Sequence, residues 1–168
     1  MPVRDSLLPE FDHEMAVTRR VLERLPEAGW TWKPHEKSFD LGSLAAHVAR
    51  IPRWGRTILD RDSYDLSHEA NPGTSVAEPS TLANVLETFD RHVSELRRQL
   101  VERSDAELMA PWALKRGAQL VMSMPRLTAL RSFVLHHLIH HRGQLTVYLR
   151  LQDVPLPPLY GSTADERM

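Results

Sequence analysis

Residues 131–151, RSFVLHHLIHHRGQLTVYLRL, decide the fold. They hold four of the chain's nine histidines within six positions and read as one long helix. A turn of about 100° per residue puts Leu130, Val134, His137, His141, Leu145 and Tyr148 on one inward stripe. Arg131, Ser132, Arg142, Thr146 and Arg150 then fall on the opposite side. Packing alone explains poorly why two histidines four apart should stand in the middle of an apolar stripe. Imidazoles at i and i+4 lie one above the other and can both reach a single metal ion. His137 and His141 are therefore the candidate divalent-metal pair. The competing register, His136 with His140, lies about 60° to 100° from the stripe centre, beside Phe133 and Val147. A histidine there packs at the margin or donates an outer hydrogen bond.

Working outward, Asp40 can cap a helix over residues 41–60, LGSLAAHVARIPRWGRTILD. Leu44, Val48, Ile51, Gly55 and Ile58 mark its buried stripe, and His47 falls inside that arc. Pro52 removes the backbone bond back to Val48 and predicts a kink just after His47. A lone histidine on an apolar face is usually a satisfied core residue. Beside an inward pair on another helix, His47 becomes the candidate third ligand.

The remaining helices read from their spacing. Ser6 predicts a first N-cap with Pro9 in the first turn. Leu8, Phe11, Met15, Thr18, Leu22 and Leu25 follow, before Pro26 and Gly29 end the helix. Trp30 and Trp32 in the connection that follows predict a cover over one end of the core. Residues 61–79 read as a polar excursion turning at Asn71–Pro72–Gly73. Ser80 or Thr81 caps a third helix with Leu82, Val85 or Leu86, Phe89, Val93, Leu96 and Leu100 inward. Residues 104–125 read as irregular, with a helical turn at 105–109 and an extended stretch at 119–122, before Pro125 opens the last helix. The tail from residue 152 carries Pro155, Pro157 and Pro158 and reads as an extended arm on the surface. His13, His35 and His68 read as solvated or loop residues. His92 reads as a core-edge residue, with a ligand role in reserve.

These elements predict an all-α, four-helix bundle with long inter-helix loops, a single domain over residues 1–168. A hydrophobic content of 42% and a charged content of 26% are ordinary for a globular protein. The net charge of -1 offers no footprint for nucleic acid or an acidic membrane surface. No apolar run approaches a membrane span and the first residues lack a signal-peptide core, so a cytoplasmic location is the expectation. The chain has no cysteine, which excludes disulfides, thiolate ligands and a cysteine nucleophile. A transition metal would then be held by imidazole, which suits Zn or Ni, with Fe or Mn open.

Three protein ligands with an open position are the arrangement of a catalytic rather than a closed structural site. Water there would ionise near neutral pH, or give way to a substrate oxygen or sulfur. Gln144 lies in the same arc as the pair and can orient an imidazole or a water; Tyr148 is a second orienting candidate. The plainer alternatives are hydrogen-bonded core histidines that cap the bundle, or adventitious metal binding by a histidine-rich tract.

At this point the chain resembles the DinB-like (DinB/YfiT-like) family of metal-dependent bacterial proteins over nearly its whole length. WKPHEKS at residues 32–38 and LGSLAAHVARIPRW around His47 look like that family's first histidine block. HHLIHHRGQLTVYLRL and VPLPPLYGSTADE look like its second block and C-terminal signature. GSTADE stands where a GPSADE-like run is expected, which touches the tail's role and not the ligands. The resemblance implies a four-helix bundle, often a homodimer, with a divalent metal on three histidines. Residue by residue, His47 matches the upstream ligand and His137 and His141 match the pair. It also implies kinship with thiol-dependent transferases and isomerases that use low-molecular-weight thiols.

The expectation is thus a metal-dependent enzyme acting on a small molecule, by hydrolysis or by thiol (S-) transfer. With no cysteine in the chain, a thiol nucleophile would be a cosubstrate. The alternatives are a non-catalytic metal-binding or stress-response protein, and a dimeric helical scaffold without metal. Leu135 and Ile139 make the last helix apolar more than halfway round. Such a surface calls for a cover, by the proline-rich arm or by a second subunit.

Overall fold

The computed structural model describes residues 2–67 and 81–167. His68, the Asn71–Gly73 turn and Ser80 lie outside the described residues. In chain order the elements are α1 (Val3–Leu22), α2 (Leu41–Asp60), β1 (Ser63–Asp65), α3 (Leu82–Glu102), α4 (Asp105–Met109), β2 (Pro111–Arg116) and β3 (Gln119–Pro125). Then α5 (Arg126–Leu130), a π-helical segment (Arg131–His136) and α6 (His137–Leu151) follow without a break. The chain is mostly helical. α2 packs on α3 and α6, and α1 packs on the same two helices. No helix among the described residues is long and apolar enough to cross a membrane.

Local chemistry fixes the helix ends. The Asp40 carboxylate accepts from the Ser43 N–H at 2.7 Å, and Thr81 Oγ1 accepts from the Asn84 N–H at 3.2 Å. Each satisfies one of the donors that a helix start leaves open. Ser104 and Glu107 close a reciprocal capping box on α4. The expected start of α1 at Ser6 is corrected. The helix begins at Val3, so Ser6 and Pro9 lie inside it. The cap comes from a distance instead: the Val3 N–H donates to Asp105 Oδ1 at 2.7 Å. No local sequence signal announces a cap about a hundred residues away.

The all-α expectation is corrected by a three-stranded sheet in the order β1-β2-β3. β1 pairs parallel with β2, and β2 pairs antiparallel with β3. The hairpin turns through Gly117 at φ +58, a left-handed conformation that glycine adopts without a Cβ clash. The Gly117 N–H donates to Asp65 Oδ1 at 2.9 Å, tying the turn to β1. Apart from the buried Trp112, the two hairpin strands are mostly exposed. They therefore lack the in–out alternation that announces a half-buried strand. The extended stretch at 119–122 and the turn at 105–109 are found where the sequence placed them.

The π-helical segment sets the phase of everything after it. A π turn holds one residue more than an α turn, which rotates later side chains by about 100°. Leu130, just before it, and Val134 and Leu135, within it, are buried and line a small cavity together with Leu7, Phe11, Leu96 and Leu100 from α1 and α3. Leu135 is thus covered from within the chain. After the segment the buried stripe is Leu138, Arg142, Leu145 and Leu149, with Tyr148 beside it. His137 and His141 stand on the flank of that stripe, half-buried. Arg142, expected on the polar side, is 1% exposed.

The tail runs as an irregular arm against α1 and α6. The Arg20 guanidinium donates to the Pro158 carbonyl at 3.2 Å. Arg24 pairs with Glu166 at 2.6 Å, and Arg150 pairs with Asp165.

Candidate metal centre

α2 contributes His47, and one turn of α6 contributes His137 and His141. One nitrogen from each ring can be chosen so that all three lie within 4.8 Å of one another. Nε2 of His47 is 3.2 Å from Nε2 of His137. The His141 ring centroid lies 4.4 Å from that of His47 and 4.7 Å from that of His137. Among the described residues this is the one group of three or more His, Cys, Asp or Glu side chains close enough to share an ion. The competing pair His136 and His140 faces solvent. His13 is exposed and stacks on Tyr160, and His35 is exposed and accepts from the Lys37 N–H. His92 is buried in α3 but belongs to no such group.

Outer contacts set the tautomers. Nδ1 of His141 donates to Gln144 Oε1 at 2.7 Å, which leaves its Nε2 lone pair free. The His137 ring hydrogen-bonds to the Phe133 backbone carbonyl. Phe39 stacks on His47 with centroids 6.0 Å apart. The Tyr148 hydroxyl donates to the Phe39 carbonyl at 3.1 Å, and Trp32 meets the Tyr148 ring edge-on at 5.7 Å. Tyr148 thus holds the loop that carries Phe39, while Gln144 holds a ring of the cluster directly.

The electrostatics favour the neutral form of all three rings. Burial pushes the His47 pKa down to about 4, helped by His141, His137 and the Arg50 guanidinium. Burial also lowers His137 and His141, against the opposing pull of their hydrogen bonds to Phe133 and Gln144. A neutral imidazole offers the lone pair that a metal takes; a protonated one does not.

The donor set fits a divalent ion. Two nitrogens bound at 2.0–2.1 Å to a common ion stand about 2.8–3.4 Å apart at the angles of octahedral or tetrahedral coordination. The 3.2 Å between the two Nε2 atoms falls in that window. Three neutral nitrogens without a thiolate match borderline ions such as Zn and Ni.

The DinB family model matches residues 1–167. The chain belongs to the DinB family. It is similar to the uncharacterized protein YrdA of Bacillus subtilis (strain 168), with 24% identity over 167 residues, covering 96% of this chain and 90% of that protein. Its fold is similar to a DinB-like protein from Bacillus cereus ATCC 10987, with TM-score 0.69 and 18% identity, covering 93% of this chain and 97% of the other. A DinB-like protein from Bacillus subtilis, YjoA, gives TM-score 0.68 and 17% identity, covering 94% and 99%.

This DinB-family chain also holds a buried polar network that its sequence did not disclose. Arg142 pairs with Glu14 at 2.8 Å, their side chains 2% and 10% exposed. The guanidinium also donates to Thr18 Oγ1 at 3.1 Å and to the Glu14 carbonyl at 3.2 Å. The Tyr160 hydroxyl donates to the Glu14 carboxylate and accepts from Arg142, bringing the tail into the network. Arg142 directly follows His141, so the network anchors α6 beside the cluster. One signal was available: Glu14 sits among Phe11, Met15 and Thr18, and a carboxylate inside an apolar stripe calls for a cation.

Proposed function

We propose that His47, His137 and His141 hold one divalent metal ion, Zn or Ni before Fe or Mn, and that the protein uses it on a small molecule. The observation that carries this reading is the convergence of three imidazole nitrogens from two separate helices within 4.8 Å. When bound, the ion supplies Lewis acidity towards a water or a thiol, which makes hydrolysis and thiol (S-) transfer the two reaction classes. The chain's own residues prepare the place. Gln144 fixes the His141 tautomer, the Phe133 carbonyl orients His137, and Phe39 shields one face of His47. No carboxylate of the described residues joins the group, so proton acceptance falls to the substrate or to solvent. With no cysteine in the chain, the nucleophile of the thiol reaction would be a low-molecular-weight thiol cosubstrate. The reading takes the chain as a single domain whose four long helices form a bundle frame, with a second copy as its expected partner.

Elemental analysis of untagged protein tests the centre: one ion per chain is expected, lost in His47→Ala and in His137→Ala. Turnover of an electrophilic aryl substrate, with and without an added thiol, then separates thiol transfer from hydrolysis. A second reading has its own support, because the cluster joins α2 to α6 and an ion there would also fasten the fold. A large drop in melting temperature on chelation, with no activity found, would favour that non-catalytic role.

A further inference from the structure

The proposed centre uses two of the four histidines clustered on the last helix and leaves His136 and His140 unexplained. Both are exposed. They stand four residues apart, His136 as the last residue of the π-helical segment, with φ -66 and ψ -37, and His140 in α6. Both thus belong to one outward strip, at the i, i+4 spacing from which two imidazoles can reach a common ion. The strip is not isolated from the centre. The His140 ring lies 4.8 Å from the His141 ring at 75°. From His141 the next rings are His47 at 4.4 Å and His137 at 4.7 Å. Imidazoles thus form an unbroken series from solvent to the half-buried cluster.

A hydrated divalent ion cannot enter a half-buried site with its full water shell. It sheds waters stepwise, and each protein ligand that replaces one lowers the barrier to the next exchange. An exposed histidine pair at the mouth offers the first two replacements. We propose that His136 and His140 form an outward capture site for a divalent cation, handing it to His141 through His140. This role rests on the three-histidine reading above. The transfer is an exchange of ligands around one ion; no bond to carbon forms and no electron moves.

The test uses metal-free, untagged, full-length protein and Co2+ alone as the probe, followed by its visible absorption in a stopped-flow instrument. The His136→Gln/His140→Gln double variant is expected to take up Co2+ roughly tenfold more slowly than the wild type, because it loses the local concentration that capture provides. The final spectrum and the one-to-one stoichiometry should be unchanged. Release to a chelator should slow by the same factor, since the equilibrium at the inner site is not altered. Both residues are exposed, and an unchanged melting temperature will show that the variant is folded. Uptake at the wild-type rate would overturn the capture role. So would a lost or altered final spectrum, which would make the pair part of the centre itself. A wild-type protein with no Co2+ spectrum would overturn the three-histidine centre and the capture role together, so the two failures read differently.

Discussion

Oε1 of Gln144 lies 2.7 Å from Nδ1 of His141, in the position of an acceptor that pins the ring's proton on the side away from the cluster. Contacts of this kind raise the basicity of the ligating nitrogen and fix its direction. Gln144→Leu should therefore weaken metal binding by about 10- to 100-fold. Gln144→Glu keeps an acceptor at the same place and should largely preserve affinity. Gln144 is exposed, so neither change should unfold the protein. Competition against a chromogenic chelator measures the effect, and equal affinities in wild type and Gln144→Leu would refute it.

The Glu14–Arg142 pair tests a different kind of claim. Removing one partner of a buried ion pair leaves the other charge desolvated and uncompensated, at a cost of about 3–5 kcal/mol. Glu14→Leu should approach that figure in urea unfolding. Tyr160→Phe removes one hydroxyl and leaves the pair intact, so about 1 kcal/mol is expected. The same variant should increase proteolysis of the tail, because the hydroxyl is the tail's hold on the pair. A Glu14→Leu cost below about 1 kcal/mol would mean that Arg142 escapes to solvent, as in an exposed pair.

The two losses of foresight on the last helix share one cause. The i, i+4 spacing of His137 and His141 is local and survives any rotation of α6 as a unit, so the pair was legible in the sequence. So were the Asp40 cap and the inward arc of His47. The face on which Arg142 and Leu135 fall is not local. It depends on the extra residue of the π-helical segment, which a uniform 100° count passes over. The sheet escaped notice because its strands are short and exposed. The start of α1 escaped because its cap is a tertiary contact. What could be read was the chemistry held within one or two turns of chain.

Gly55 and Leu96 set a packing limit between α2 and α3. A Cβ at Gly55 would stand 2.4 Å from Leu96 Cδ2 and 2.6 Å from Cδ1. Leu96 is fully buried, and the small cavity it lines with Leu7, Phe11 and Leu100 gives it little room to retreat. Alanine is favoured over glycine in a helix by about 1 kcal/mol, whereas overpacking a close-packed core costs about 1–3 kcal/mol. The second effect should win, and Gly55→Ala should destabilise. Adding Leu96→Ala to Gly55→Ala tests the cause: the double variant should be more stable than the sum of the two single effects predicts. Strict additivity in denaturant unfolding would show that the two side chains do not meet.

His92 supplies the pH dependence that does not pass through the proposed ligands. Its ring is buried in α3, with Nδ1 lacking a hydrogen-bond partner among the described residues. Burial pushes its pKa down from 6.5 to about 4; Arg91, Arg53 and Arg56 push the same way, and Glu95 opposes them. Between those two values the unfolded chain binds a proton that the folded chain refuses. Stability from this group is therefore complete above pH 6.5 and is lost as pH falls towards 4. His92→Leu should flatten the fall in unfolding free energy across that window by up to about 1.4 kcal/mol per pH unit. His47, whose pKa is also lowered to about 4, and His137 and His141, lowered as well, keep some slope in the variant. Urea titrations at pH 7, 6, 5 and 4.5, all with chelator present so that metal release adds nothing, measure the difference. Matching slopes in the two proteins would mean that His92 takes up its proton in the folded state as readily as in the unfolded chain.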